Sequence, residues 1–277
     1  KQAYGIPYAY DLDSSIAQQL VEQKPYLDVF GELFDWTERQ AIQGSLINFP
    51  VCNALANLCR ESGSRKTVTL HDISQLDDPD EADPERLRQE IDPEGPVFLY
   101  VGNLEPYQGI DLLLESFQVA QRQEPALTLV IIGGSSEDID HYRTRASELE
   151  IGKNTEFLGP RPFEHLGDYL AGADVLVCPR SEGINTPMKI FPYLHSGRPV
   201  LVTDLRTHNQ ILTDEEAFLA PADPEGFAEG LLELARDPLL RDRLGENGRA
   251  FVERNHTFDA HRERLDEAYE WIEENLE

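Results

Sequence analysis

From Pro96 onward, short apolar runs alternate with longer stretches of helical spacing, and this alternation admits very few folds. "PVFLYVG" precedes a helical pattern over 110–121, "LTLVIIGG" one over 139–149, and "TEFLG" one over 163–171. The series continues through "DVLVCP", a helix after Pro187, "PVLVTD", a short helix, and "AFLAPA" before 227–235. Strands that are apolar on both faces and separated by single helices predict a parallel sheet covered on both sides, a doubly wound α/β domain. Asp237-Pro238 then offers an N-cap and a first-turn proline for a helix over 239–254. Beyond His256-Thr257 an acidic amphipathic helix presents Leu265, Ala268, Tyr269 and Ile272 on one face.

The first 75 residues alternate in the same way. "IPYAYDLD" reads as a strand, the region around Trp36 and Glu38 as a helix, "SLINFPVC" as a strand, then a helix, then "KTVTLHDI" as a strand. That is about half of a second α/β domain. Between the halves, "SQLDDPDEADPERLRQEIDPEG" is polar, acidic and proline-rich and reads as a linker with one helical turn. The expected division is therefore 1–92 for a partial N-terminal unit with its linker, 93–255 for a second unit, and 256–277 for a closing helix.

Charge narrows the function. Against 52 acidic side chains stand 24 basic ones, a formal charge of −28, so nucleic acid is not an expected partner, because phosphate backbones are held by clustered cations. Only five of the cations are lysines. There is no apolar run of the ~20 residues that cross a bilayer and no basic segment leading into an apolar one. A soluble, cytoplasmic protein is the expectation. Cys52, Cys59 and Cys178 lack CxxC spacing and read as buried thiols, so no metal is assigned. Walker A, HExxH and GxSxG patterns are absent, which leaves phosphate-loop, zinc-protease and serine-hydrolase chemistry without support.

The stretch "PRSEGINTPMKIFPYLHSGRPVLVTD" lies between two strands and sets a carboxylate, a glycine and small polar residues at the mouth of a helix whose first residue is expected to be Pro187. Free backbone N–H groups of Gly183, Ile184, Asn185 and Thr186, together with the positive end of a helix, make a seat for a diphosphate. A plain capping turn at Asn185-Thr186-Pro187 is the structural alternative.

Taken in order, "YVGNLEPYQGIDLLLESF", "LVIIGG", "FLG", "ADVLVCPRSEGINTPMKIFPYLHSGRPVLVTD" and the closing helix pair resemble the nucleotide-sugar-binding domain of glycosyltransferase family 4, the retaining GT-B enzymes. The resemblance covers Pro96 to Glu277; more weakly, "GIPYAYDLDSS" through "VTLHD" resembles the later part of the family's acceptor domain. It implies two Rossmann-like domains facing a cleft, the N-terminal one incomplete with further chain preceding Lys1, and a last helix that crosses back to the first unit. It also implies transfer of a sugar from a nucleotide-sugar donor to a glycan, lipid-linked or small-molecule acceptor, with no metal and no cofactor besides the donor. Peripheral contact with the inner membrane, through the preceding N-terminal part, is expected as well.

Carried over residue by residue, the resemblance places Glu182 near the transferred sugar and Asp13 where a histidine often faces it. Gly102, Asn103 and Gln108 fall in the loop that grips the donor diphosphate, Gly133 at the next strand exit, and Arg161 where the family's backbone meets the base. Arg180 and Lys189 supply local positive charge. Asn103 and Gln108 stand where the family carries an arginine and a lysine. The glutamate that holds the ribose falls at Pro192 counting back from Gly197, or at Ile190 counting forward from Glu182. A GT-B binding or scaffold protein that has lost turnover is the alternative reading.

Overall fold

A computed structural model describes residues 6–16, 29–76 and 78–276 of the chain. The chain divides into two units, the first made of Lys1–Asp72, Ile184–Thr186 and His256–Glu277, the second of Ile73–Gly183 and Pro187–Asn255. The acidic stretch after residue 72 thus groups with the second unit and not with the first.

In the first unit, β1 (Ala9–Leu12) pairs in parallel with β2 (Ile47–Pro50), Ala9 opposite Ile47 and Leu12 opposite Pro50. Residues 66–70 follow β2 with a parallel hydrogen-bond pattern. The Asn48 amide donates to the Lys66 carbonyl at 2.9 Å, and the Val68 and Leu70 amides donate to the carbonyls of Asn48 and Pro50 at 3.0 Å each. The expected strand there closes a bridge only at Thr67. Helices α1 (Gly31–Gly44) and α2 (Asn53–Glu61) bring Ile42, Leu55 and Cys59 against Leu12 and Cys52. The closing helix, Phe258–Glu274, starts where Thr257 Oγ1 accepts from the Ala260 amide. It belongs to this unit through Ala268, Trp271 and Ile272, which pack with Ile47 and Phe49. Tyr269, expected on that face, is exposed. Positions 268, 271 and 272 already occupy one side of the helix, and a residue one step from 268 is turned roughly 100° away.

In the second unit, β3 (Val97–Val101), β4 (Thr128–Ile132), β5 (Thr155–Gly159), β6 (Val175–Cys178), β7 (Val200–Thr203) and β8 (Phe218–Ala220) form one parallel sheet in the order β5-β4-β3-β6-β7-β8. Alternate side chains leave each strand on opposite faces, and both faces are covered. Phe98, Tyr100, Leu129, Ile131, Val177 and Leu201 point to one core. That core is closed by α4 (Ile110–Gln121), α5 (Ser136–Glu148) and α8 (Pro224–Arg236), through Phe117, Tyr142 and Phe227 among others. Val97, Leu99, Val130, Leu176 and Val202 point to the other. There they meet Leu87 of α3 (Glu85–Ile91), Tyr169 of α6 (Leu166–Gly172), Tyr193 of α7 (Ile190–His195) and Val252 of α9 (Pro238–Asn255). Burying one such Phe or Leu side chain contributes about 1.5–3 kcal/mol.

Helix α3 is longer than the single turn expected of the linker. Leu87 is fully buried, Arg86 pairs with Asp168 at 2.7 Å and Arg88 with Asp174 at 3.0 Å, and Arg249 holds Asp80. These contacts, with a further ion pair between Glu90 and Arg161 at 2.6 Å, fasten a segment whose composition alone reads as solvated.

Candidate functional site

The strand order turns back on itself between β3 and β6: the chain winds outward from β3 through β4 to β5, then returns to β6 beside β3 and winds the other way. Ligands of open parallel sheets bind beyond the carboxyl ends of strands at such a switch point. Here the exits of the two switch strands are Gly102 and Pro179-Arg180.

Glycine lets the loops at these exits close on one another. Gly133, at φ +114, leaves β4 where a Cβ would run into the Gly102 carbonyl. Gly109, at φ +75 before α4, lies where a Cβ would overlap the Pro179 carbonyl oxygen. A side chain at either place would have to displace backbone, and the positive φ is costly for any L residue.

Lys189 occupies the space so formed. Its ammonium donates to Tyr100 Oη at 2.8 Å and to Gln108 Oε1 at 3.1 Å, and it sits 4.0 Å from the centroid of the Tyr100 ring. Gln108 is itself buried and donates from Nε2 to Asn103 Oδ1 at 2.9 Å; Tyr100 Oη donates to the Asn103 carbonyl at 2.6 Å. Both partners of the cation are neutral, and among the described residues no carboxylate pairs with it. Burial lowers the Lys189 pKa to about 8. Its charge is thus unmatched by a carboxylate among the described residues, in a chain of formal charge −28, and burying an unpaired ammonium is costly.

Arg180 follows β6. It is 9 % exposed, its Nε donates to the Glu182 carbonyl at 2.7 Å, and its guanidinium lies 5.1 Å from the Tyr107 ring centroid. Gly183 packs on that guanidinium. Glu182 is exposed. Ile184, Asn185 and Thr186 group with the first unit, where Ile184 packs against the Leu12 cluster and Thr186 is buried with its Oγ1 unpaired. The helix expected from Pro187 begins instead at Ile190, after a turn in which the Ile190 amide donates to the Pro187 carbonyl and that of Phe191 to the Met188 carbonyl. Pro192 explains the delay. It has no N–H to give to Met188, and its ring excludes that carbonyl, so it can stand only in a first turn.

Two further residues complete the expected set. Arg161 is bound up structurally: its guanidinium pairs with Glu90 at 2.6 Å and reaches the Leu158 carbonyl. Asp13 lies in the first unit, exposed, just beyond β1. The turn after it is held by the buried Glu38, which accepts from Ser15 Oγ at 2.7 Å and from the Ile16 amide at 2.8 Å.

Sequence reasoning passed over Tyr100, Tyr107 and Tyr193; it set His208 at a strand's carboxyl end, as a cleft residue or a surface or capping one. Tyr193 Oη clamps the end of β3, accepting from the Val101 amide at 2.6 Å and donating to its carbonyl at 3.1 Å. His208 is fully buried beyond β7, with Nδ1 2.9 Å from the Thr203 carbonyl and Nε2 unpaired. Burial lowers its pKa to about 4, so the ring is neutral. A tyrosine next to the end of an otherwise wholly apolar strand, as in "VFLYV", was the available signal. Beside Lys189, Val101, Phe163, Leu166, Met188, Pro192 and the Tyr193 ring enclose most of a cavity of about 170 Å3. Among the described residues no group of His, Cys, Asp or Glu is arranged to hold a metal, and no helix is long and apolar enough to cross a membrane.

Against known proteins, the family model described as "Glycosyl transferases group 1" matches residues 82–251. A D-inositol 3-phosphate glycosyltransferase of Frankia alni is 29 % identical over 177 residues, covering 60 % of this chain and 43 % of the relative. A GDP-mannose-dependent monoacylated alpha-(1-6)-phosphatidylinositol monomannoside mannosyltransferase of Corynebacterium glutamicum is 26 % identical over 177 residues, covering 61 % of this chain and 46 % of the relative. The chain thus spans less than half the length of these curated relatives. Among solved structures, sucrose-phosphate synthase of Thermosynechococcus elongatus superposes with a TM-score of 0.78 at 18 % identity, covering 98 % of this chain and 69 % of that one. Anabaena HepE in complex with UDP and glucose gives 0.77 at 15 %, covering 95 % and 71 %. These likenesses show the fold, α/β of the GT-B class.

Proposed function

The chain belongs to the group 1 glycosyl transferases, and we propose that it transfers a sugar from a nucleotide-sugar donor to a glycan, lipid-linked or small-molecule acceptor, with retention and without a metal. The observation that carries this reading is Lys189, a cation with only neutral partners at the switch point of a parallel sheet. As the glycosidic bond breaks, the leaving diphosphate gathers negative charge. An ammonium and the Arg180 guanidinium fixed near it stabilise that charge more than they stabilise the intact donor. Asn103 and Gln108 serve as the scaffold that aims Lys189 and are not themselves the grip. The amides of 183–186 are the diphosphate's further donors, Glu182 acts near the transferred sugar, and Asp13 acts from the acceptor side.

The relatives favour the same class. HepE is described with UDP and glucose, and the two curated relatives are named for inositol phosphate and phosphatidylinositol mannoside, so a phosphorylated polyol or a lipid-linked glycan is the favoured acceptor. Such an enzyme works in the cytoplasm, at the periphery of the inner membrane where the acceptor is lipid-linked. The test is release of nucleoside diphosphate by the full-length protein offered UDP-, GDP- and ADP-sugars, with and without acceptor. Turnover of one donor is expected. Tight binding of a donor with no release would favour the scaffold reading, for which the neutral Asn103 and Gln108 speak.

A further inference from the structure

We infer that His208 is a positioning residue: acting through the Thr203 hydroxyl, it fixes the backbone of Arg180 and so the place of the guanidinium proposed to meet the leaving diphosphate. The inference rests on the part given to Arg180 in the nucleotide-sugar reading above. Strands β6 and β7 are paired up to Cys178 and Val202 and then separate. The Leu205 amide, next in line for the Arg180 carbonyl in a parallel ladder, turns back instead and donates to the Thr203 carbonyl at 2.8 Å. A side chain takes its place: Thr203 Oγ1 donates to the Arg180 carbonyl at 2.6 Å.

A hydroxyl rotates to suit its neighbours, and here His208 decides which way it turns. The ring is fully buried and reaches Thr203 from the short helix Arg206–Asn209, with Nδ1 2.9 Å from the Thr203 carbonyl and 3.1 Å from Oγ1. A carbonyl can only accept, so Nδ1 carries the hydrogen; the hydroxyl accepts from it and gives its own proton to Arg180. The relay thus runs one way, from Nδ1–H through Thr203 Oγ1 to the Arg180 carbonyl. Burial keeps the imidazole neutral, and Arg180 and Lys189, the cations that face it among the described residues, act in the same sense. Nε2 stays an acceptor with no partner among the described residues. A buried acceptor without a partner lowers stability, which an apolar side chain in that place would avoid, so the ring is not the best filler of its own space. Thr203 ends a wholly buried strand, whereas the other contacts of Arg180, the Glu182 carbonyl at 2.7 Å and the Tyr107 ring at 5.1 Å, lie outside the sheet. The relay therefore ties the guanidinium to the rigid part of the unit, and groups that bind charge must be held within about 0.5 Å.

The test is calorimetric titration of the full-length protein with UDP, GDP and ADP, beside a thermal melt of each variant. His208→Leu removes the N–H, His208→Asn keeps one where Nδ1 stands, Thr203→Val removes the hydroxyl with the shape kept, and Arg180→Met removes the guanidinium. For the nucleotide that binds, Arg180→Met should weaken affinity about 10- to 100-fold, the range for a hydrogen bond to a charged group. His208→Leu and Thr203→Val should each weaken it about 2- to 10-fold, the range for a neutral one, and His208→Asn should bind nearly as the wild type does. With Arg180→Met already in place, His208→Leu and Thr203→Val should change affinity by less than about twofold while still lowering the melting temperature, because they act on binding only through Arg180. A His208→Leu protein that melts lower but binds as the wild type does has lost packing alone, and equal losses of affinity with and without Arg180 mean that the ring acts elsewhere. Either result overturns the inference, as does unchanged affinity in Arg180→Met, and each leaves the nucleotide-sugar reading standing on Lys189. If His208→Leu does not fold, Thr203→Val decides in its place. No binding of any nucleotide overturns both.

Discussion

Lys189 and Tyr100 meet in two ways, the ammonium bonding to the phenol oxygen at 2.8 Å while lying 4.0 Å from the centre of the same ring. A desolvated cation over an aromatic face gains up to ~2 kcal/mol, and a hydrogen bond to a charged group about 1.5–3. Removing an ammonium from water costs several kcal/mol. The two contacts hold the charge in place without neutralising it, as the proposed diphosphate site requires.

Lys189→Met keeps the length of the stem and removes the charge. Affinity for the nucleoside diphosphate should fall by about 1–3 kcal/mol, the range for a charged hydrogen bond, while the melting temperature stays level or rises because an unpaired charge has gone. Calorimetry and a thermal melt on the same preparations check both. Unchanged affinity would put the diphosphate elsewhere.

The pH dependence should separate binding from folding. Burial lowers the Lys189 pKa from the usual 10.5 to about 8 in the folded chain, so the folded state releases this proton before the unfolded one does. Stability therefore rises as pH climbs from 8 toward 10.5, where the unfolded chain still carries the charge. Nucleotide affinity runs the other way: it is full below 8 and falls by at most tenfold per pH unit above it, because a bound anion holds the proton on. Dissociation constants and urea midpoints between pH 7 and 10 should diverge in the wild type, and Lys189→Met should lose both trends.

Much of the second unit was legible because its code is local. The four central strands β3, β4, β6 and β7 are runs of apolar residues long enough to be buried on both faces, and α4 begins and ends where the spacing puts it. The linker was misjudged because it is fixed by partners far along the chain, Arg86 by Asp168 and Asp80 by Arg249, which no window of composition contains. The start of α7 was misplaced for a different reason. Pro187 is a good first helical residue taken alone, and Pro192 vetoes the longer helix from five positions downstream. At the site, the glycines and Lys189 could be read, but the cation's dependence on Tyr100 could not, since that pairing spans 89 positions.

His208 predicts how the second unit responds to acid. Burial holds the ring neutral with a pKa near 4 against the usual 6.5, so between those values the unfolded chain binds a proton that the folded one refuses. The stability it contributes is complete above pH 6.5 and is lost as pH falls through about 4, up to about 3 kcal/mol in all. His208→Gln retains an N–H for the Thr203 carbonyl but does not titrate. Chemical denaturation at pH 7 and pH 4.5 should show a smaller difference in this variant than in wild type. Equal differences would mean that the imidazole is not kept neutral by burial.

Glu182 poses the sharpest choice between surface and chemistry. It is exposed, it belongs to a chain crowded with carboxylates, and its backbone carbonyl already serves the fold by accepting from Arg180 Nε at 2.7 Å. That backbone bond persists whatever the side chain. Glu182→Gln therefore tests the carboxylate alone, at a cost in stability within about 0.5 kcal/mol. A carboxylate that approaches the donor sugar's hydroxyls or its developing positive charge acts more strongly as the glycosidic bond breaks. Its loss should lower kcat of the full-length protein by at least ~10-fold with nucleotide affinity nearly unchanged. Equal turnover in the two proteins would return Glu182 to the solvated surface and leave Lys189 and Arg180 as the groups on which transfer depends.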